Sequence, residues 1–156
     1  HPGVWPTTEA ARAWARSASA EMHSGFAVLR EHCSMSCGVR VVLREITPAL
    51  QRDLDRLQRL WIDGLDRFGG PFLCGSLFSA VDAFFAPVAF RVQTYGLTLE
   101  ARCAAYVARL LALPAMQEWY AAALTEPWRE AEHESWTSTR ASQLTDLRRS
   151  QMSTTS

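Results

Sequence analysis

Six consecutive residues, Glu21-Met22-His23-Ser24-Gly25-Phe26, are where residue types and spacing in this chain could do chemistry. An imidazole changes its charge near neutral pH, and at the rim of an apolar cleft it can donate to a nearby thiolate or stabilise it. Two residues along a helix turn through about 200°, so Glu21 and His23 flank Met22 from nearly opposite sides. Met22 lies on an apolar stripe, and His23, one residue round, falls at the stripe's margin. Gly25 inside a helical pattern costs about 1 kcal/mol against Ala, which implies a close approach. The plainer reading of the same residues is structural: Glu21 as a solvated or ion-paired carboxylate, His23 as a hydrogen-bonded interface histidine.

Other candidates carry less. Ser79 and Asp82 with a distant His suggest a hydrolase triad, but a Ser at a helix start is engaged with backbone and no Gly-x-Ser-x-Gly turn is present. His32, Cys33 and Cys37 lack a second Cys/His pair that would complete a tetrahedral metal set, so no metal site is expected. Cys74 and Cys103 read as small buried apolar side chains. A helical domain of 156 residues needs no disulfides, which predicts reduced thiols and a cytoplasmic setting. Arg91 and Tyr95 could reach a ligand or, the favoured use, a helix C-terminus. His133, between Glu132 and Glu134, reads as solvated.

Charge and hydropathy bound the partners. Sixteen basic residues offset sixteen acidic ones, so no field recruits nucleic acid or an anionic membrane. No apolar run approaches the ~20 residues of a membrane span, and the first residues lack the pattern of a signal peptide.

The elements that must position these residues read as all-α. Residues 1–7 form a linker. Trp14, Ala18, Met22, Phe26 and Leu29 recur at steps of three and four, predicting one long helix over about 8–31. Val39, Val42, Leu43 and Ile46 suggest a short helical segment. Thr47-Pro48 starts the cleanest stripe, Leu50 to Phe68, which Gly69-Gly70-Pro71 ends. Asp55 with Arg59 and Asp63 with Arg67 fall at ion-pair spacing on its outer side. Ser79 and Asp82 form a carboxylate capping box opening a helix over about 80–95. That helix is apolar on every side, so it should be buried on every side, with a kink at Pro87. Thr98 caps a further helix, and Leu113-Pro114 starts the last one. Residues 135–156, rich in Ser, Thr, Arg and Gln, read as a loose tail. The expectation is about six helices around a buried, Pro-kinked central helix, with the domain spanning 8–134.

The run from Gly70 to Gly96, with Gly-Pro-Phe-Leu-x-Gly, Ser-x-x-Asp-Ala and Pro87, resembles the core helix of the glutathione S-transferase C-terminal domain. Glu21 to Phe26 is similar to the Glu-Leu-His-Lys-Gly-Phe of beta-class bacterial members. The resemblance covers roughly residues 5–126 and includes Leu-Pro-Ala-Met-Gln-Glu-Trp at the last helix. It implies that Ser79 and Asp82 are structural and that His23 faces the glutathione sulfur. It also implies that Glu21 reaches glutathione on the partner subunit of a homodimer, and that Met22 and Phe26 line the pocket for a small electrophile. Ser24 stands where those enzymes carry a lysine, and Arg16 where they tend to carry an asparagine. In that family an N-terminal thioredoxin-like domain activates the thiol, and no β-α-β pattern for one occurs in this chain. The expected function is therefore the substrate-binding and dimerising half of a transferase, conjugating only when completed by that domain. The alternative is a non-catalytic helical interaction module of the same fold.

Overall fold

The longest stripe in the sequence gives the longest helix. The computed structural model describes residues 3–148, and in it Pro48–Phe68 (α3) buries Leu50, Leu54, Leu57, Leu60 and Trp61 along one face. The Thr47 hydroxyl accepts from the Leu50 amide at 3.2 Å, and Gly69 closes the helix in the left-handed region at φ 77°. Asp63 pairs with Arg67 at 2.7 Å, whereas Asp55 accepts from Gln51 instead of meeting Arg59.

Before α3 the chain departs from a single long helix. Glu9–Ser24 (α1) ends where Phe26 adopts φ 54°, and Ala27–His32 (α2) follows. A left-handed aromatic residue is costly, and burial offsets the cost: Phe26 is 6% exposed. Two outside groups hold the break. The Leu29 amide donates to Asp53 on α3, and the Arg30 guanidinium donates to the Met22 carbonyl, both at 2.9 Å.

The central helix is Ala80–Tyr95 (α4), with Pro87 inside it, so the Ala83 carbonyl receives no intrahelical donor from that position. It packs against α1 and against Ala101–Leu111 (α5). The N-cap of α5 is Glu100, which accepts from the Cys103 amide at 2.9 Å, and not Thr98. Trp61 meets Phe85 and Tyr106 edge-on, with ring centroids 5.7 and 5.1 Å apart, at the centre of the core. Pro114–Thr125 (α6) completes the helical layer.

The fold is not all-α. Val39–Leu43 (β1) pairs antiparallel with Ala141–Asp146 (β2), the second strand following Ala131–Arg140 (α7). Val39 and Val41 are buried while Val42 is exposed, a period of two where a helical one was expected. The seven described helices and this small sheet replace the six-helix expectation. The loose tail is corrected as well. Residues 135–148 end α7 and form β2 and its exit, and the remainder of that tail, 149–156, lies outside the described residues. Among the described residues no helix is long and apolar enough to cross a membrane.

Candidate functional site

The predicted site residues separate on the structure. Met22 and Phe26 are buried in the core, 7% and 6% exposed. His23, in the last turn of α1, is exposed and lines none of the three cavities described below. Glu21 is half-buried and held by the Arg56 guanidinium in a two-pronged ion pair at 2.6 and 2.7 Å across α1 and α3. That pair raises Arg56 above its ordinary value, chiefly through the hydrogen bond to Glu21. It forms one wall of a cavity of about 490 Å³ between α1 and α3, together with Trp14, Arg59, Asp63 and Arg67.

The start of α4 is a built polar centre inside apolar surroundings. Asp82 has no exposed surface, yet four donors converge on its carboxylate. The Leu73 amide and the Tyr106 hydroxyl reach one oxygen at 3.0 Å each, and the Ser79 amide and hydroxyl reach the other at 2.9 and 3.2 Å. Burial pushes this carboxyl above its ordinary range, and the four hydrogen bonds oppose that rise. Every donor belongs to a loop or helix of the core, so the cluster fastens the Phe72–Ser79 loop and α5 to α4. Its geometry leaves no lone pair pointing at solvent.

The far end of α4 secures the loop after α2. The Arg91 guanidinium donates to the Cys33 carbonyl at the C-terminus of α2 at 2.8 Å, and the Tyr95 hydroxyl to the Ser34 carbonyl at 3.1 Å. The Thr94 hydroxyl donates to the Ser36 carbonyl. Arg91 is thus a helix-terminus partner, the use favoured from its position in the sequence.

No thiol in the chain is set up as a nucleophile. Burial pushes Cys33, Cys74 and Cys103 up to about 12 and Cys37 up to about 11. All four are free, and among the described residues no cluster of three or more His, Cys, Asp or Glu could hold a metal.

One surface departs from the expected burial of α4. Ala83 and Phe84 are exposed, and Phe84 leaves 43% of its surface open. With Val4, Phe78 and Pro87 they line an open apolar groove of about 690 Å³. Sequence periodicity missed this groove because an apolar helix reads as wholly buried whether or not every neighbour is present.

Comparison with known proteins follows the fold. No curated protein matches the chain. A crystal structure of glutathione transferase Omega 3C from Trametes versicolor is similar, with 20% identity and a TM-score of 0.51. The similarity covers 74% of this chain and 52% of that one, so this chain spans about half the length of that protein. At that identity the likeness concerns the fold. Residues 40–122, more than half of the 156, match the family model for the glutathione S-transferase C-terminal domain. They run from β1 through α3, the Asp82-capped α4 and α5 into α6, and the chain belongs to that family.

Proposed function

We propose that this chain is the helical half of a glutathione S-transferase-like protein. It provides a binding wall for a small electrophile and a dimer contact, and conjugates glutathione only together with a thioredoxin-like domain. The observation that carries this reading is the uncovered side of α4. A helix apolar all round, with Ala83, Phe84 and Pro87 left open beside Val4 and Phe78, fits a second domain packed there. The matched segment covers only 52% of the similar solved structure, which leaves room in that protein for such a domain. The four thiols agree with the division of labour, because none is poised to activate or replace the glutathione sulfur.

In this reading His23, exposed on the last turn of α1, stands in the beta-class pattern and hydrogen-bonds the glutathione sulfur. Met22 and Phe26 act from beneath, shaping the wall, and Glu21 contributes to glutathione held by a partner copy of the chain. A reduced, cytoplasmic setting suits the free thiols.

A second reading is favoured by one contact. Glu21 is already tied to Arg56, which suits a scaffold better than a ligand contact and supports the non-catalytic interaction module. Joining a thioredoxin-like domain ahead of the chain and assaying an aryl halide with glutathione distinguishes the two. The transferase reading expects turnover from the joined protein and none from the chain alone. It also expects His23→Ala to lower turnover and shift its pH profile more than it lowers the melting temperature. An inactive joined protein, or activity indifferent to His23, supports the module.

A further inference from the structure

A third cavity, also of about 490 Å³, lies between the loop over residues 34–39, the end of α6, and α7 with β2. Most of its wall falls in residues 34–39 and 123–148, outside the 40–122 segment that carries the family match. Its volume is that of a small-molecule site. Trp119 and Trp128 line it and remain 43% and 80% exposed. Trp119 is fixed edge-on against Phe90, with centroids 4.9 Å apart, which leaves a side of its indole for other contacts. Met35, Cys37 and Leu144 add apolar floor.

The charges of the wall are unequal in availability. Arg129 and Arg148 each pair with both Glu134 and Asp146, at 2.6 to 3.4 Å, so two cations and two anions satisfy one another. Arg40, near Cys37, is taken up by the carbonyls of Cys37 and Val39 and by the Tyr120 hydroxyl. Glu126 and Glu130 also line the cavity, and among the described residues neither pairs with a cation. An anion would find both arginines committed and only the His133 imidazole, tilted against the Trp136 ring, left to meet it, whereas a cation finds two unspent carboxylates beside two indoles.

We propose that this cavity binds a small organic cation with a flat apolar body. An aryl ammonium is the simplest case, its ring on Trp119 and Trp128 and its charge against Glu126 and Glu130. The inference is independent of glutathione chemistry, since the groove on α4 and the His23 turn contribute nothing to this wall.

Calorimetric titration of the full chain with benzyltrimethylammonium, and with benzenesulfonate as a flat anion, tests the proposal. The cation should bind at one site, about tenfold or more tighter than the anion. Glu126→Gln with Glu130→Gln, and separately Trp128→Ala, should each weaken the cation by about fivefold or more. Glu132→Gln, in the first turn of α7 but outside the wall, should leave affinity unchanged. The proposal is overturned by equal affinity for cation and anion, by cation affinity indifferent to the paired glutamine changes, or by no heat at about 10 mM cation. Glu126, Trp128, Glu130 and Glu132 are all solvent-exposed, and circular dichroism of each variant checks that the fold is retained.

Discussion

Tyr106 on α5 donates its hydroxyl hydrogen to the Asp82 carboxylate on α4 across 3.0 Å, in the fully buried centre of the protein. One carboxylate thereby ties together α4, α5 and the Leu73 and Ser79 backbone. Asp82→Ala strands buried donors that have no other partner. A lost cap costs ~1 kcal/mol and a stranded buried amide ~1–3 more, so about 2–4 kcal/mol is expected. Tyr106→Phe removes one donor of four and should cost only about 1 kcal/mol. Urea denaturation of both variants checks the order; equal losses would mean that the carboxylate is not the hub.

Gly64 is where α3 lets its neighbours approach. A Cβ there would sit 2.5 Å from the Trp14 ring and 2.8 Å from the Leu73 carbonyl oxygen. Trp14 is held by its indole hydrogen bond to Asp63 at 2.7 Å, and Leu73 by Asp82, so neither yields cheaply. Replacing a helical Gly by Ala normally gains ~1 kcal/mol, while overpacking costs ~1–3. Gly64→Ala should therefore lower the melting temperature, and a rise would show that α1 and the Leu73 loop can shift apart.

The Arg148 hydrogen bonds hold the Asp146 carboxyl down at about 2, with Arg129 assisting, although burial opposes them. A depressed carboxyl stabilises the fold above its ordinary range near 3.8 and loses that contribution as pH falls toward about 2. The protection of β1 amides, taken relative to their intrinsic exchange rate at each pH, should accordingly fall between about pH 4 and pH 2, and Asp146→Asn should remove that step. Protection that changes identically in both proteins would assign the acid response to Glu134 or to groups elsewhere.

The raised thiols predict chemical silence. With Cys33, Cys74 and Cys103 up at about 12 and Cys37 at about 11, a disulfide reagent at pH 8 should label the native chain at least about 100-fold more slowly than the urea-unfolded one. A single fast thiol in the native protein would identify a nucleophile that burial does not suppress.

The sequence was readable where the determining contacts are local. The stripe of α3, the Thr47 cap and the pairing of Ser79 with Asp82 all involve residues within a few turns of one another, and they fall in place. Phe26 breaks the first helix because Asp53 and the core claim its neighbours, and nothing at Phe26 itself announces a positive φ. The Val-Arg-Val-Val-Leu of β1 carried a β-branched signal that the helical spacing of Val39, Val42 and Ile46 obscured. Its partner strand lies about a hundred residues away in a segment too polar to announce a fold. For the candidate site, the sequence located Glu21 and His23 on one helix turn but had no means of naming Arg56 as the partner of Glu21.

The pairing of Val39 with Asp146 and of Leu43 with Ala141 has a consequence for synthesis. A nascent chain emerges from its N-terminus, so β1 and every helix through α6 can leave the ribosome before β2 exists. Until then the open rim of β1 exposes unpaired amides and carbonyls on a Val-rich segment, the kind of surface that captures strands from other chains. Chaperone demand and aggregation should thus peak in the interval just before β2 emerges, and early stops near residue 130 should yield helical yet sticky products.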